Sequence, residues 1–227
     1  MSIETGRLPA EGVRSMFDGI AALYDPMNDA MTAGLHRRWR GITARAVVSP
    51  GYRVLDACCG TGDLSIAARN EGGAVTGLDF SERMLDRARR KSDEITWVLG
   101  DVSELPFADE SFDAATVGFG IRNVEDPGRA LRELRRVLRP AGRLAILEVV
   151  RPKGVLSLFY RVWFDRVIPL AGRVLPGGAA FTYLPASVRR FPGPGQLTDE
   201  VREAGFDPVG HRLLAGGIVV VLVGEAA

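Results

Sequence analysis

Short apolar runs alternate with amphipathic runs through the middle of the 227-residue chain. The apolar runs are rich in Val, Ile and Leu and are nearly continuous, which is typical of strands buried on both faces of a parallel sheet. The strands are predicted at residues 53–58, 74–79, 95–101, 112–119 and 143–150. Because helical segments separate them, the pattern predicts an α/β fold with a Rossmann-like, doubly wound, mostly parallel sheet and right-handed crossovers.

Two of the intervening helices carry start signals in the sequence. Asp126 followed by Pro127 is the order of an N-cap and a first helical residue, and Ser81 is placed to cap a second helix. We expect the helix that begins at Pro127 to stop at Pro140 and Gly142, since both residues disfavour a continuing helix.

Two helical segments flank this pattern. Residues 1–48 are expected to form an N-terminal helical cap, and residues 153–190 a helical insertion or lid before the last strands. Strands near 208–214 and 218–224 complete seven strands, with an antiparallel last strand. Because the chain has no repeats and no long linker, we predict a single domain over residues 1–227.

Composition excludes several classes of protein. The formal charge of +1 gives no electrostatic excess for nucleic acid, and no run of 18 apolar residues is present to span a membrane. Cys58 and Cys59 are adjacent and poorly placed to bridge each other, which suits a reducing, cytoplasmic compartment. No Cys/His partners are spaced for zinc, so no metal is expected.

The turn after the first predicted strand is the strongest local signal for a ligand. Gly60 and Gly62 let the backbone approach a ligand closely, and the following helix start offers free N–H groups. A dinucleotide-binding turn would need a third glycine where Ser65 stands, which disfavours an NAD-dependent oxidoreductase. Asp56, just before the turn, would repel a pyrophosphate and attract an ammonium group.

Carboxylates also end the next two predicted strands. Asp79 is placed to accept both hydroxyls of a ribose, and Asp101 to accept from an adenine amino group. Together with Asp56 they describe a ligand with an amino-acid end, a ribose and an adenine but no phosphate, and S-adenosylmethionine fits. The alternative is that the acids are plain charges at helix N-termini and that the glycines serve an ordinary strand–helix turn.

Longer motifs at residues 56–63, 105–113 and 136–144 resemble those of class I S-adenosylmethionine methyltransferases. Within that group, the chain is similar over nearly its whole length to the ubiquinone/menaquinone-biosynthesis C-methyltransferases, the demethylmenaquinone methyltransferases included. The motifs that carry this second resemblance are Tyr-Asp-Pro-Met-Asn at 24–28, Gly-Leu-His-Arg-Arg-Trp at 34–39, Phe-Gly-Ile-Arg-Asn-Val at 119–124, Glu148, and Tyr-Leu-Pro-Ala-Ser at 183–187.

The resemblance implies methyl transfer from S-adenosylmethionine to a ring carbon of a prenylated quinol such as demethylmenaquinol. The cofactor-binding residues expected are Tyr24, Asp56, Gly60, Thr61, Gly62, Asp79, Phe80, Met84, Asp101, Val102 and Gly118. Gly118 stands where the family usually has a serine, and the last strand lacks the family's Leu-His-x-Gly. Two alternatives remain: a methyltransferase that modifies carbon, oxygen or nitrogen of another small aromatic or lipophilic metabolite, and a non-catalytic scaffold that binds S-adenosylmethionine.

Four residues are candidates for contact with the methyl acceptor. Arg122 would stabilise a phenolate or orient a water acting as base, unless it forms an ion pair with an acid such as Glu148. His36 is a candidate base, although a histidine on a helix is more often structural. Asn123 and Tyr183 are expected to bind the acceptor, with packing of the insertion as the other interpretation of Tyr183.

The insertion has a broad apolar face, with interruptions by charged residues. Its apolar positions are Leu156, Phe159, Trp163, Val167 and Leu170. Packing in the core or against a second copy in a homodimer is the default interpretation. The other interpretation is a wall for a lipophilic substrate or a contact with a membrane surface, which exposed apolar area on this face would support.

Overall fold

Seven strands form one sheet in the computed structural model, which describes residues 8–152, 154, 157, 160, 162–167, 170 and 178–227. The strands are β1 (Arg53–Ala57), β2 (Ala74–Asp79), β3 (Thr96–Leu99), β4 (Phe112–Gly118), β5 (Leu138–Val149), β6 (Phe206–Leu214) and β7 (Val219–Ala226). Their spatial order is β3-β2-β1-β4-β5-β7-β6, and all neighbours are parallel except that β7 is antiparallel to β5 and β6. The predicted sheet with an antiparallel last strand is confirmed.

Helices cover both faces of this sheet. The α-helices whose bounds lie within the described residues are α1 (Ala10–Ile20), α2 (Tyr24–Thr32), α3 (Leu35–Val47), α4 (Asp63–Asn70), α5 (Glu82–Lys91), α6 (Pro127–Val137), α7 (Gly178–Arg190) and α8 (Pro194–Glu203). Val54 and Ala114 pack in one apolar cluster with α3 and α4, whereas Leu55 and Ile146 pack in another with α6 and α8. Alternate residues of the central strands therefore enter opposite cores, which explains why the strands are apolar at nearly every position.

The strand order places a crevice at the carboxyl ends of β1 and β4. The chain proceeds outward from β1 to β2 and β3, then returns to the other side of β1 as β4 and continues to β5. Ligands of open α/β sheets bind where the strand order reverses in this way, because the connecting helices diverge to opposite faces there.

The predicted helix starts are confirmed, but one predicted helix end is wrong. The Asp126 side chain accepts a hydrogen bond from the Arg129 N–H at 2.9 Å and Pro127 begins α6, while Ser81 caps α5. Helix α6 ends at Val137, before Pro140 and Gly142, because the chain joins β5 directly. The bulge in the pairing of β5 with β4 at this point accommodates both residues within the strand.

The described part of the N-terminal segment, residues 8–48, forms α1, α2 and α3 before β1, so the predicted N-terminal helices are confirmed there. Much of the predicted insertion helix, including Leu156 and Phe159, lies outside the described residues. Of its other apolar positions, Val167 and Leu170 are exposed and Trp163 is half-buried. Among the described residues, no helix combines the length and the apolar character needed to cross a membrane.

Candidate functional site

The turn that joins β1 to α4 has the backbone conformation that its glycines predict. Gly60 and Gly62 adopt φ values of +55° and +85°, a region that residues with a Cβ rarely enter. At Gly62 a Cβ would also lie 2.5 Å from the Trp97 ring, closer than real atoms approach. Gly62 is therefore required by the local packing. It borders neither the cavity that opens beside Asp79 nor the apolar cavity that adjoins it.

Asp79, the last residue of β2, faces this turn. Its Oδ2 accepts the Gly60 N–H at 2.8 Å, and its Oδ1 accepts the Ser81 N–H at 2.9 Å. Burial raises the pKa of the Asp79 carboxyl to about 6. A carboxylate oxygen accepts two hydrogen bonds, so each oxygen retains capacity for a ligand hydroxyl.

A cavity of about 310 Å³, hereafter the carboxylate cavity, opens beside Asp79 at the ends of the strands. The predicted cofactor-binding residues that border it are Tyr24, Gly60, Asp79, Phe80, Met84, Asp101, Val102 and Gly118. At Gly118 a Cβ would lie 2.8 Å from Leu64 Cδ2, so glycine relieves a contact that the family's usual serine would make there. The structure thus brings together eight of these residues, although they come from five parts of the chain.

Asp56 does not reach this cavity, contrary to the expectation that it attracts the ammonium group of a ligand. It is fully buried; its Oδ2 accepts the Ser65 hydroxyl at 2.5 Å, and its Oδ1 accepts the Thr116 hydroxyl at 2.7 Å. Burial raises the pKa of this carboxyl to about 6. Asp56 connects β1, β4 and α4 beneath the turn, which is a structural role.

Thr61 is also absent from the walls of the carboxylate cavity. Its hydroxyl donates to Asp25 Oδ1 at 2.6 Å and accepts from Lys91 Nζ at 3.0 Å. The side chain points toward α2 and the end of α5, so its contribution to the site passes through those helices.

A second cavity, of about 420 Å³ and hereafter the apolar cavity, adjoins the first. Its apolar walls come from the N-terminal helices, α7, the insertion and the start of β7. They include Met16, Ile20, Met27, Met31, Leu35, Trp39, Trp163, Phe181, Leu184, Ile218 and Val219. Phe17, Tyr24 and Phe119 border both cavities and form a shared wall. The arrangement suits two ligands held side by side, the second of them lipophilic.

Arg122 borders the apolar cavity and forms a buried ion pair with Glu148. Its Nη1 also donates to the Phe119 carbonyl at 2.7 Å. Burial raises the pKa of the Glu148 carboxyl, and the Arg122 charge opposes that rise. The alternative predicted for Arg122, an ion pair with Glu148, is therefore formed, and it holds the Arg122 guanidinium beside the apolar cavity.

His36 borders the same cavity, but its ring nitrogens are both engaged. Nε2 lies 2.8 Å from Asp29 Oδ1, and Arg40 donates to Nδ1. Because a guanidinium can only donate, Nδ1 is the acceptor and Nε2 carries the hydrogen. Burial lowers the pKa of His36, which favours this neutral form. No lone pair remains free, so the geometry argues against His36 as the general base.

The two predicted acceptor-binding residues, Tyr183 and Asn123, border different cavities. Tyr183 is buried and borders the apolar cavity, and burial raises the pKa of its phenol. Asn123 borders the carboxylate cavity instead, with its Nδ2 donating to the Phe119 carbonyl at 3.2 Å. The peptide that joins Arg122 to Asn123 thus lies between the two cavities.

Three residues that border the cavities were not predicted as site residues from the sequence. Phe17 and Phe119 belong to the shared wall, and the Phe17 ring packs edge-on against Tyr24 with centroids 6.1 Å apart. Asn28 borders the apolar cavity, and its buried Nδ2 has no hydrogen-bond partner among the described residues. Asn28 and Phe119 lie inside motifs that carried the resemblance, which was the available signal, whereas nothing in the sequence marked Phe17.

Residues 5–225 match the model of the ubiE/COQ5 methyltransferase family. The chain is 42% identical to the 2-phytyl-1,4-naphtoquinone methyltransferase of Synechococcus elongatus, over 96% of this chain and 99% of that protein. It is 40% identical to the demethylmenaquinone methyltransferase of Renibacterium salmoninarum, over 92% and 90%. It is 42% identical to the ubiquinone/menaquinone biosynthesis C-methyltransferase UbiE of Syntrophotalea carbinolica, over 95% and 94%.

Solved structures with the same fold are more distant in sequence. A methyltransferase from Thermotoga maritima superposes with a TM-score of 0.71 at 23% identity, covering 95% of this chain and all of that one. The cyclase SpnF superposes with a TM-score of 0.67 at 19% identity, covering 94% of each chain. Since a cyclase shares the fold, architecture alone does not assign the reaction. The family match and the 40–42% identities over nearly the whole chain do assign the family: this chain belongs to the ubiE/COQ5 methyltransferase family.

Proposed function

We propose that the protein transfers a methyl group from S-adenosylmethionine to a ring carbon of a prenylated quinol of the demethylmenaquinol type. The observation that carries this proposal is the pair of adjoining cavities, one with carboxylates at strand ends and the other apolar with Arg122 at its edge. The methyl donor occupies the first, the acceptor ring enters the second, and the methyl group crosses at the shared wall of Phe17, Tyr24 and Phe119.

The residues of the carboxylate cavity fit S-adenosylmethionine in their chemistry. Asp79 retains acceptor capacity on both oxygens for the ribose hydroxyls, and Asp101 and Val102 lie where an adenine is expected. Phe80 and Met84 supply apolar contact, and Gly60 and Gly118 leave room for close approach. When bound, S-adenosylmethionine supplies an electrophilic methyl group on a sulfonium. Among the described residues, no cluster of three or more metal-ligating side chains is present.

The acceptor side supports a ring that bears oxygen. Carbon methylation requires an electron-rich ring carbon, and deprotonation of a neighbouring hydroxyl provides it. The Arg122 guanidinium stabilises the resulting oxyanion, since a cation beside an apolar cavity is weakly screened. Asn28 offers a buried donor at the same cavity. The hydroxyl proton leaves to a water that Arg122 orients, because His36 has no free nitrogen to accept it. After transfer, the hydrogen on the methylated ring carbon is lost to water while the ring oxygen regains a proton, which restores the aromatic ring, with S-adenosylhomocysteine as the leaving group.

The lipophilic part of the acceptor is supported by the size and composition of the apolar cavity. Relatives with substantial identity are named for phytyl-naphthoquinone and demethylmenaquinone methylation. Val162, Val167 and Leu170 of the insertion are exposed, while Trp163 of the same segment borders the cavity. We therefore also propose that the insertion contacts a membrane surface from the cytoplasmic side, where a prenylated acceptor would enter. Homodimer formation stays a prediction from the sequence.

Calorimetry and a methyl-transfer assay test the function directly. The protein is titrated with S-adenosylmethionine and, as a control, with NADH, and is then assayed with a demethylated prenyl naphthoquinol under reducing conditions. We expect S-adenosylmethionine binding, no NADH binding, and a product in which NMR places the new methyl on a ring carbon. A methyl on oxygen would replace the C-methylation proposal with an O-methyltransferase. Binding without turnover would favour another aromatic acceptor or the non-catalytic scaffold, and absence of S-adenosylmethionine binding would overturn the proposal.

A further inference from the structure

Lys91, the last residue of α5, contacts three oxygens from two other parts of the fold. Its Nζ lies 2.7 Å from Asp25 Oδ2, 2.6 Å from Asp63 Oδ1 and 3.0 Å from Thr61 Oγ1. Thr61 in turn donates to the second oxygen of Asp25 at 2.6 Å. These four residues, hereafter the Lys91 cluster, connect α5, the glycine turn with the start of α4, and the start of α2.

The cluster matches the chemistry of lysine and the electrostatics of helix ends. The chain has 29 basic residues, of which only Lys91 and Lys153 are lysines. An ammonium directs three N–H groups to three separate oxygens, whereas the planar guanidinium of arginine favours one carboxylate. Asp25 and Asp63 lie in the first turns of α2 and α4, and Lys91 in the last turn of α5, so each charge also complements a helix dipole.

Helix α2 depends on such polar contacts because it buries no residue completely. Tyr24, its first residue, borders both cavities, and Asp25 follows it directly. Tyr24 packs against Phe17 and the buried cluster of Ile20, Ala21 and Met84. Helix α2 nevertheless has no fully buried side chain to dock it by apolar burial, the usual source of helix docking. The Lys91 cluster is the polar contact that fixes the N-terminal end of α2, and with it Tyr24, against the glycine turn.

We infer that Lys91 is a positioning residue for methyl transfer, acting through Asp25 to hold Tyr24 in the shared wall between donor and acceptor. This role rests on the proposed function. Lys91 touches neither cavity, so its effect passes entirely through the placement of α2. The side chains of Lys91 and Asp25 are 26% and 33% exposed, so salt screens their attraction.

The experiment compares Lys91→Met with Arg89→Met. Arg89 is on the same helix, but its ion pairs, with Glu82 and Asp86, stay within α5. Hydrogen exchange of the free protein is measured at low and high salt, and S-adenosylmethionine affinity by calorimetry. In Lys91→Met we expect faster amide hydrogen exchange over residues 24–32, with no further increase at high salt. We also expect the affinity for S-adenosylmethionine to be weaker by roughly tenfold, as for a lost charge-assisted contact. Arg89→Met should match the wild type, with salt still accelerating exchange over residues 24–32.

Two further variants make the result decisive. Asp25→Asn removes the ion pair with Lys91 from the α2 side. Combining it with Lys91→Met should weaken the S-adenosylmethionine affinity little further, because the two changes break one interaction. Lys91→Arg should recover part of the lost affinity. Equal exchange in Lys91→Met and Arg89→Met would overturn the inference, as would faster exchange with unchanged affinity. If the wild type itself binds no S-adenosylmethionine while α2 exchange still responds to Lys91→Met, the proposed function fails and the docking of α2 by Lys91 stands.

Discussion

The carboxylate cavity and the apolar cavity differ in the elements that form their walls. The carboxylate cavity is built largely from strand ends and the turns that follow them, whereas the apolar cavity is built largely from α1, α2, α3, α7 and the insertion. Strand ends are positioned by a hydrogen-bonded sheet whose register is set by its buried residues. Helices outside the sheet are positioned by side-chain contacts, so the acceptor side depends on fewer and weaker constraints.

The largest expected effect is on the acceptor side, at the buried ion pair. Arg122→Met leaves the fully buried Glu148 without its cation, and we expect the free energy of unfolding to fall by about 3–5 kcal/mol. Loss of Arg122 also removes the charge that opposes the raised pKa of Glu148. A carboxyl with a raised pKa is least costly when protonated, so the deficit should grow as pH rises from 5 to 8. Urea denaturation at several pH values measures it.

A double variant separates structure from chemistry at this pair. Arg122→Met combined with Glu148→Leu removes both charges and should recover most of the stability. Turnover should remain low, with S-adenosylmethionine affinity unchanged, because the oxyanion still lacks its cation. Normal turnover in the refolded double variant would show that Arg122 serves the fold alone.

The next effect is on the cofactor side. Asp79→Ala removes the proposed acceptor for the ribose hydroxyls and the observed acceptor for two backbone N–H groups that shape the turn. We expect S-adenosylmethionine affinity to fall by about 2–3 kcal/mol, measured by calorimetry. Asp56→Asn is the matched control: it changes a buried carboxyl at the same sheet edge that does not border the cavity. Equal losses of affinity in the two variants would contradict the separate roles given to these carboxyls.

A smaller effect distinguishes packing from ligand contact in the glycine turn. Gly62→Ala places a Cβ against Trp97 at a φ of +85°, so we expect a loss of about 1–3 kcal/mol in unfolding free energy. The affinity of the folded fraction for S-adenosylmethionine should stay within experimental error, because Gly62 borders neither cavity. Thermal unfolding and calorimetry on the same sample measure the two quantities. A large loss of affinity with unchanged stability would make Gly62 a ligand contact.

The smallest effect is the pH dependence of cofactor binding. Burial raises the pKa of Asp79 to about 6. In the proposed site the ribose hydroxyls donate to its ionised form, which is the stronger acceptor. Binding is therefore complete above this pKa and is lost as pH falls through it, by about fourfold between pH 7.5 and 5.5 for a group that titrates near 6. Calorimetry across this range should show the loss in the wild type and a flat profile in Asp79→Asn. A flat wild-type profile would place the ribose elsewhere.

Much of the fold follows from local patterns in the chain. Apolar strands, the Ser81 and Asp126 caps and the glycine turn predicted the sheet and its connections, because each depends on residues close in sequence. The end of α6 was missed for the opposite reason. Pro140 and Gly142 were interpreted as helix stops, while the pairing of Leu138 with Phe112 in the sheet ended the helix earlier.

Site residues divide in the same way. Asp79 and Asp101 were predicted as ligand contacts because they end predicted strands, and both border the carboxylate cavity. The expectation that Asp56 faces the ligand differs from the structure, because a carboxyl at a strand end points either into the crevice or beneath it. Here the Ser65 and Thr116 hydroxyls hold the Asp56 carboxyl beneath the crevice. His36 was proposed as a base because the sequence does not reveal that Asp29 and Arg40 occupy both of its nitrogens.

Four features could be predicted without a structure: the sheet, its glycine turn, the carboxylates at its strand ends and the resemblance to a methyltransferase family. Periodicity and turn chemistry act over a few residues, so they can be interpreted without a structure. Three other features became visible in the folded chain: Phe17, Tyr24 and Phe119 border both cavities, Asn123 and Arg122 border different ones, and Lys91 forms an ion pair with Asp25 of α2. These facts depend on contacts between segments far apart in the chain, whose packing geometry no local pattern specifies.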